Sequence, residues 1–222
     1  MTIPKELYGD VFCFDTETAV LGDHVCEFGY ALFRETQMHT SNSMFIKPII
    51  PITKEVSEIH QIYDGDVENS PTFKDVAYFI YNQLNSADIH VAYNYEYDRQ
   101  VLEQEFARAG MKFPVKPVVD PFIFFKQYHK YNKGKTLIKA AEKYGVAYAG
   151  AHRAGVDAMV TGNVLFKMAA IKPNFPRTLS ILAKKQREWI EAQHIDLAEY
   201  FKKVGKEPPR EVNFSYYDPI NT

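Results

Sequence analysis

Apolar and polar positions alternate first with the period of strands and later with that of helices. Tyr8 to Phe14 is an aromatic and β-branched run that predicts a buried strand. A turn at Leu21-Gly22-Asp23 leads into a second strand, Cys26 to Phe33, and Met44 to Lys47 reads as the end of a third. Links this short predict antiparallel strands joined as a meander. Pro48 and Pro51 stop the sheet, and Thr53 stands where it can cap a short helix containing Val56 and Ile59. Phe73, Val76, Ala77, Ile80 and Leu84 recur at helical spacing, which predicts a helix over about 72–84.

From there strands and helices alternate. Ile89 to Ala92 reads as a short strand. The run Tyr97, Val101, Leu102, Phe106 and Ala109 reads as a helix ended by Gly110. Val115 to Val119 predicts another strand, closed by Asp120-Pro121. Leu137, Ala140, Ala141 and Tyr144 form a stripe ended by Gly145, and Val156 to Met168 a strong amphipathic helix. Antiparallel strands followed by alternating strands and helices predict an α/β fold: a mixed sheet flanked by helices. After Pro173 the pattern loosens. Trp189, Ile190, Ile195, Leu197 and Phe201 predict one or two further helices, and Pro208 to Thr222 an irregular tail. The expected organisation is a domain over 1–173 and a C-terminal extension over 174–222.

Composition narrows the partners. The chain has 222 residues, 46% hydrophobic and 24% charged, enough for a sizeable core. The formal net charge is -2, so attraction to a polyanion must come from local lysines, arginines or bound cations. No apolar run reads as long enough to span a bilayer, and the N-terminus lacks a signal-like stretch. The expectation is a cytoplasmic protein with no membrane partner. Cys13 and Cys26 fall in apolar runs and read as small buried hydrophobes rather than a disulfide.

Against this background three acidic segments stand out: Phe14-Asp15-Thr16-Glu17-Thr18, Tyr93-Asn94-Tyr95-Glu96-Tyr97-Asp98, and His152 to Asp157. Residues two apart on a strand share a face, so Asp15 and Glu17 can reach one cation together. Oxygen donors of this kind suit magnesium or manganese. Asp98 and Asp157 each open a predicted helix, and His152 precedes Asp157 by a glycine-containing turn. A histidine beside such carboxylates can act as a general base. Taken singly, each segment is equally a solvated strand end or an acid at a helix N-terminus. Together they supply the carboxylates and imidazole of a pocket for phosphodiester cleavage.

The ordered set resembles the DEDDh (DnaQ-like) 3′–5′ exonucleases, the family of the polymerase proofreading subunit, exonuclease X and ribonuclease T. Asp15-Thr16-Glu17 matches the first motif. Val91-Ala92-Tyr93-Asn94-Tyr95-Glu96-Tyr97-Asp98 matches the second, with Tyr93 where histidine is usual. His152 and Asp157 match the His-x4-Asp third. Ile59-His60-Gln61-Ile62 and Val119-Asp120-Pro121 resemble family landmarks between them, and Ala19-Val20 replaces the usual Thr-Gly. The likeness covers about residues 8–170 and implies a ribonuclease H-like sheet of three antiparallel strands followed by parallel ones. It also implies that Asp15, Glu17, Asp98 and Asp157 hold two divalent cations, Mg2+ or Mn2+, with His152 as base. Thr16, Thr18, His60, Asn94 and Tyr97 are then expected around the terminal sugar and base.

The implied activity is release of 5′-mononucleotides from single-stranded or frayed DNA 3′ ends. RNA 3′-end trimming by the same chemistry, and a non-catalytic module that binds nucleic acid or a polymerase, are the alternatives. Self-association is a further partner reading left open. Lys126, Lys130, Lys133, Lys135 and Lys139, interleaved with Phe125, Tyr128 and Tyr131, read either as a track for phosphates or as a solvated helix face.

Overall fold

Val11 opens the first strand because contacts of the preceding residue fix the chain there. The Asp10 N–H donates to Asp88 Oδ2 (2.9 Å) and the Asp10 carboxylate binds Arg34 (2.6 and 3.0 Å). A computed structural model describes residues 3–131, 133–209 and 211–218. Its strands are β1 (Val11–Val20), β2 (Asp23–Arg34), β3 (Gln37–Phe45), β4 (Ile89–Val91) and β5 (Val118–Val119). They form one sheet in the order β3-β2-β1-β4-β5, with β1–β3 antiparallel and β4 and β5 parallel to β1. This is the mixed sheet that the pattern predicts.

The helices are α1 (Lys54–His60), α2 (Asp64–Val67), α3 (Phe73–Ser86), α4 (Tyr95–Arg108), α5 (Pro121–Tyr128), α6 (Leu137–Tyr144), α7 (Ala154–Ile171) and α8 (Leu179–Lys203). Alternation along β1 divides the core. Val11 and Cys13 pack with Ala31, Phe33 and α7 on one face, while Phe12 and Phe14 pack with Phe28, α3 and α4 on the other. Cys13 and Cys26 are both buried and free.

Several local readings change. Tyr8 lies in a 3-10 helix (Lys5–Tyr8), not in β1, and is exposed. Thr53 stands at the N-cap of α1 without a side-chain capping bond; its N–H instead donates to the Ala19 carbonyl at the end of β1 (2.8 Å). α2 and α5 are additional helices. α5 is started by Asp120, whose carboxylate accepts from the Phe122 N–H, and by Pro121 at its first position. α7 is by length and composition apolar enough to cross a membrane (18 residues, mean hydropathy 1.2), contrary to the expectation. Its apolar surface has a different cause here: it is the central core helix, with most of its length buried against β1, β2 and α6.

Beyond Pro173, α8 is a single helix of 25 residues. Leu182 joins the apolar cluster of α7 and Ile190 that of α4, so this segment packs into the sheet's own cores. The Gln186 amide is fully buried beside β5. It donates to the Val118 carbonyl (3.0 Å) and accepts from the Asp120 N–H (2.7 Å).

Candidate active site

Asp15 and Glu17 project from the middle of β1 toward the face that α7 covers. α7 reaches them because glycines allow its first turn to touch the sheet. A Cβ at Gly29 of β2 would stand 2.0 Å from the Ala154 carbonyl carbon, and one at Gly155 would stand 3.1 Å from the Asn42 carbonyl oxygen. Asp157 is thereby buried in the first turn of α7. Its Oδ1 accepts from the Tyr148 hydroxyl (2.7 Å). His152, in the left-handed region with φ 64°, turns back beside it. Ligand atoms of Glu17, His152 and Asp157 all lie within 4.8 Å of one another.

Asp98 arrives from the other face, in the first turn of α4. Its Oδ1 accepts from both the backbone N–H (2.8 Å) and the Oγ1 hydroxyl (2.7 Å) of Thr16, the residue between Asp15 and Glu17. A second buried acid fixes where α4 begins: Asp120 accepts from the N–H groups of Asn94 (3.0 Å), Tyr95 (3.1 Å) and Phe122 (2.9 Å). Tyr93, where the resemblance expects histidine, donates its hydroxyl to the Lys135 carbonyl (2.6 Å).

The crowding shows in the acidities. Burial, followed by the carboxylates of Asp98, Asp157 and Glu17, holds Asp15 well above the usual range. Burial and the Asp157 and Glu27 carboxylates push Glu17 up to about 8, with Arg153 acting in the opposite sense. Burial raises Asp98 to about 7 against the two Thr16 bonds. Asp157 is also raised by burial, with the Tyr148 bond opposing. Hard oxygen donors that resist ionisation because they are buried, and in part because they repel one another, fit divalent cations.

Sequence patterns did not single out Glu27, Arg153 or Tyr148. Glu27 lies opposite Glu17 across the β1–β2 pair and is fully buried. It binds the Arg153 guanidinium and the Ala154 N–H (3.1 Å), and accepts from the Ser43 hydroxyl (2.8 Å). Its available signal was an acid inside the apolar run Val25-Cys26-Glu27-Phe28, where an ionised side chain needs a partner.

The expected substrate contacts divide. Thr16 is buried and bonded to Asp98. His60 is buried; its Nε2 faces the Thr18 carbonyl (3.2 Å) and its Nδ1 accepts from the Ile62 N–H (3.0 Å). Burial lowers its pKa. Thr18 Oγ1 lies 3.4 Å from the Tyr97 hydroxyl, which also accepts from the Gly22 N–H (2.9 Å). Asn94 is exposed at the start of α4, in the left-handed conformation. Lysines of α5, the following loop and α6 have separate neighbours. Lys126 sits over the Phe122 ring, Lys135 donates to the His129 carbonyl and Lys139 pairs with Glu142.

Comparisons with known proteins bear on the family and the fold. The family model described as Exonuclease, of the RNase T type, matches residues 12–165. A 3′-5′ exonuclease DinG of Staphylococcus aureus (strain USA300) is 26% identical over 143 residues, 64% of this chain but 16% of that protein's length. A structure of exonuclease X in complex with 5′ overhanging duplex DNA has a TM-score of 0.60 at 21% identity, covering 72% of this chain and 92% of the other. A 3′-exonuclease in a structure of 3′-end specific recognition of a histone mRNA stem-loop gives 0.63 at 15%, covering 76% and 66%. Escherichia coli exonuclease I with a dA16 oligonucleotide gives 0.69 at 14%, covering 83% and 45%. The match runs from β1 into α7 and so includes all three acidic segments: the chain belongs to the RNase T exonuclease family, of the DnaQ-like group, and carries its ribonuclease H-like fold.

Proposed function

We propose that this protein is a 3′–5′ exonuclease that releases 5′-mononucleotides from single-stranded or frayed DNA 3′ ends. The observation that carries this reading is the convergence of Glu17, His152 and Asp157, with the carboxylates of Asp98, Asp157 and Glu17 close enough to Asp15 to help hold its pKa up. Asp15, Glu17, Asp98 and Asp157 would hold two divalent cations, Mg2+ or Mn2+. When bound, these supply Lewis-acid stabilisation of charge developing on the phosphate. His152 takes the proton of the attacking water. The water oxygen bonds to phosphorus, the P–O3′ bond breaks, and the departing 3′-oxygen takes a proton from solvent. Asn94 and Tyr97 lie at the start of α4 beside Asp98, where they can meet the substrate's sugar and base.

The aligned relative named as a 3′-5′ exonuclease supports the polarity, and neighbours solved with DNA support the polymer. The neighbour solved with an mRNA stem-loop makes RNA trimming the second reading. A cytoplasmic placement belongs to the same proposal and rests on composition.

The test is turnover of matched single-stranded DNA and RNA with Mg2+ or Mn2+, before and after a chelator. Release of 5′-mononucleotides, faster from DNA and abolished by chelation, is expected. Asp98→Ala abolishes turnover with folding intact, and His152→Ala slows it by roughly 10²–10⁴-fold with cation binding retained. Faster attack on RNA reverses the substrate ranking, and no turnover of either polymer leaves a binding module.

A further inference from the structure

We propose that the cavity between α4, α5, α8 and the segment around Glu211–Tyr217 is a nucleobase pocket. It would receive an unpaired base of the bound strand other than the base of the nucleotide being released. This deepens the exonuclease reading and rests on it.

The cavity has a volume of about 620 Å³, within the range of small-molecule sites. It adjoins the candidate active site through the first turn of α4. Asn94 and Tyr97 line it, and Asp98, the next residue, is bonded to Thr16 between Asp15 and Glu17. The remaining walls come from α5, α8 and the C-terminal segment, which carry none of the clustered carboxylates. A strand anchored by its terminal phosphate at those carboxylates therefore presents a different base here.

The wall chemistry suits an uncharged heterocycle. Phe122 and Tyr200 offer rings beyond the residues assigned to the terminal nucleotide, and base–aromatic stacking accepts any base. Glu96 is engaged by Arg99 (2.7 Å) and Asp120 by backbone N–H groups. Asp196 and Glu211 are exposed on the lining. This acidic surround disfavours a phosphate inside and orients the base inward. Lys126, above Phe122 at 4.1 Å, supplies a cation on the lining. Two wall side chains also carry polar atoms with no hydrogen-bond partner among the described residues, the buried Tyr217 hydroxyl and the Gln193 amide oxygen. A base edge entering the cavity can satisfy these oxygens, while the Gln193 amide nitrogen keeps its bond to the Ile123 carbonyl (3.2 Å).

The test compares wild type, Tyr200→Ala and Tyr200→Phe; Tyr200 is exposed, so these changes do not burden the core. Two substrates are used, a single-stranded deoxyoligonucleotide and the p-nitrophenyl ester of thymidine 5′-monophosphate, which has only one base. Tyr200→Ala is expected to raise KM for the oligonucleotide about tenfold with kcat little changed. Tyr200→Phe, which keeps the ring, restores it, and the ester is hydrolysed equally by all three. An unchanged oligonucleotide KM in Tyr200→Ala, or an equal loss on the ester, overturns the pocket. If wild type hydrolyses neither substrate, the exonuclease reading fails instead. Oligonucleotide affinity by fluorescence anisotropy then decides the pocket: weaker binding in Tyr200→Ala supports it, and equal binding overturns it.

Discussion

Arg153 and Glu27, 126 residues apart, meet in a two-point contact: Nη2 to Oε1 at 2.9 Å and Nε to Oε2 at 3.2 Å. Arg153 directly follows His152, so this contact anchors the residue proposed as base to β2. The carboxylate is almost wholly shielded while the guanidinium is half-exposed. Removing the arginine therefore leaves a buried charge short of its partner. Arg153→Ala should lower stability by about 1–3 kcal/mol and reduce kcat more than it raises KM. Urea melts and steady-state kinetics measure both; unchanged kcat would free the His152 loop from this anchor.

Thr16 and Asp98 give a subtler case. Thr16→Val keeps the backbone bond and β-branching but deletes the hydroxyl that donates to Asp98 Oδ1. Losing a buried hydrogen bond to a carboxylate costs about 1.5–3 kcal/mol. The carboxylate is then freer to turn, and turnover should fall while Thr16→Ser stays near wild type. Equal rates in the two variants would show that the backbone N–H alone fixes Asp98.

Gly29→Ala probes the approach of α7. Its Cβ would collide with the Ala154 backbone, which no side-chain rotation relieves. The first turn of α7 must shift and carry Asp157 with it. Destabilisation of about 1–3 kcal/mol or more, with activity lost beyond what the unfolded fraction explains, is expected. Thermal melts paired with activity per folded molecule provide the check, and a fully active, stable variant would contradict the close contact.

Stability should depend on pH in a direction set by the clustered carboxylates. Glu17 titrates near 4.5 when unfolded and near 8 in the folded, cation-free protein. Between those values the folded state retains a proton that the unfolded chain has released. The contribution is full below about 4.5 and lost as pH rises through about 8. Cations bind the deprotonated carboxylates, so Mg2+ should raise Tm far more at about pH 8 than at about pH 5. Melting curves in chelator that show greater stability at the higher pH would refute this assignment of Glu17.

The alternation of Phe12, Cys13 and Phe14 and the stripes of α3 and α6 made much of the sheet and its cover legible in the sequence. So did the left-handed glycines Gly110 and Gly145, which end helical runs. Asp15, Glu17, Asp98, His152 and Asp157 could be collected only by their order along the chain, because three separate segments bring them together from both faces of the sheet. The residues that hold them were less visible. Glu27 is masked by its apolar neighbours, and Tyr148 stands in a segment without regular period. Asp120 binds amides of α4 as well as opening its own helix. Tertiary contact, not local pattern, gives each of these its task. α5 escaped for a related reason: Phe122, Ile123, Phe124 and Phe125 are apolar on successive positions, which erases helical periodicity.

The buried Gln186 amide has a consequence for how copies of this chain meet. By donating to Val118 and accepting from the Asp120 N–H, one side chain imitates the ladder of an absent sixth strand. That border is closed to strand addition, although β5 is only two residues long. The opposite border is β3, with no buried residue along its length and Thr40, Ser41, Asn42 and Ser43 in its middle. Intermolecular β-pairing is thus confined to a polar margin that offers little apolar surface to reward it.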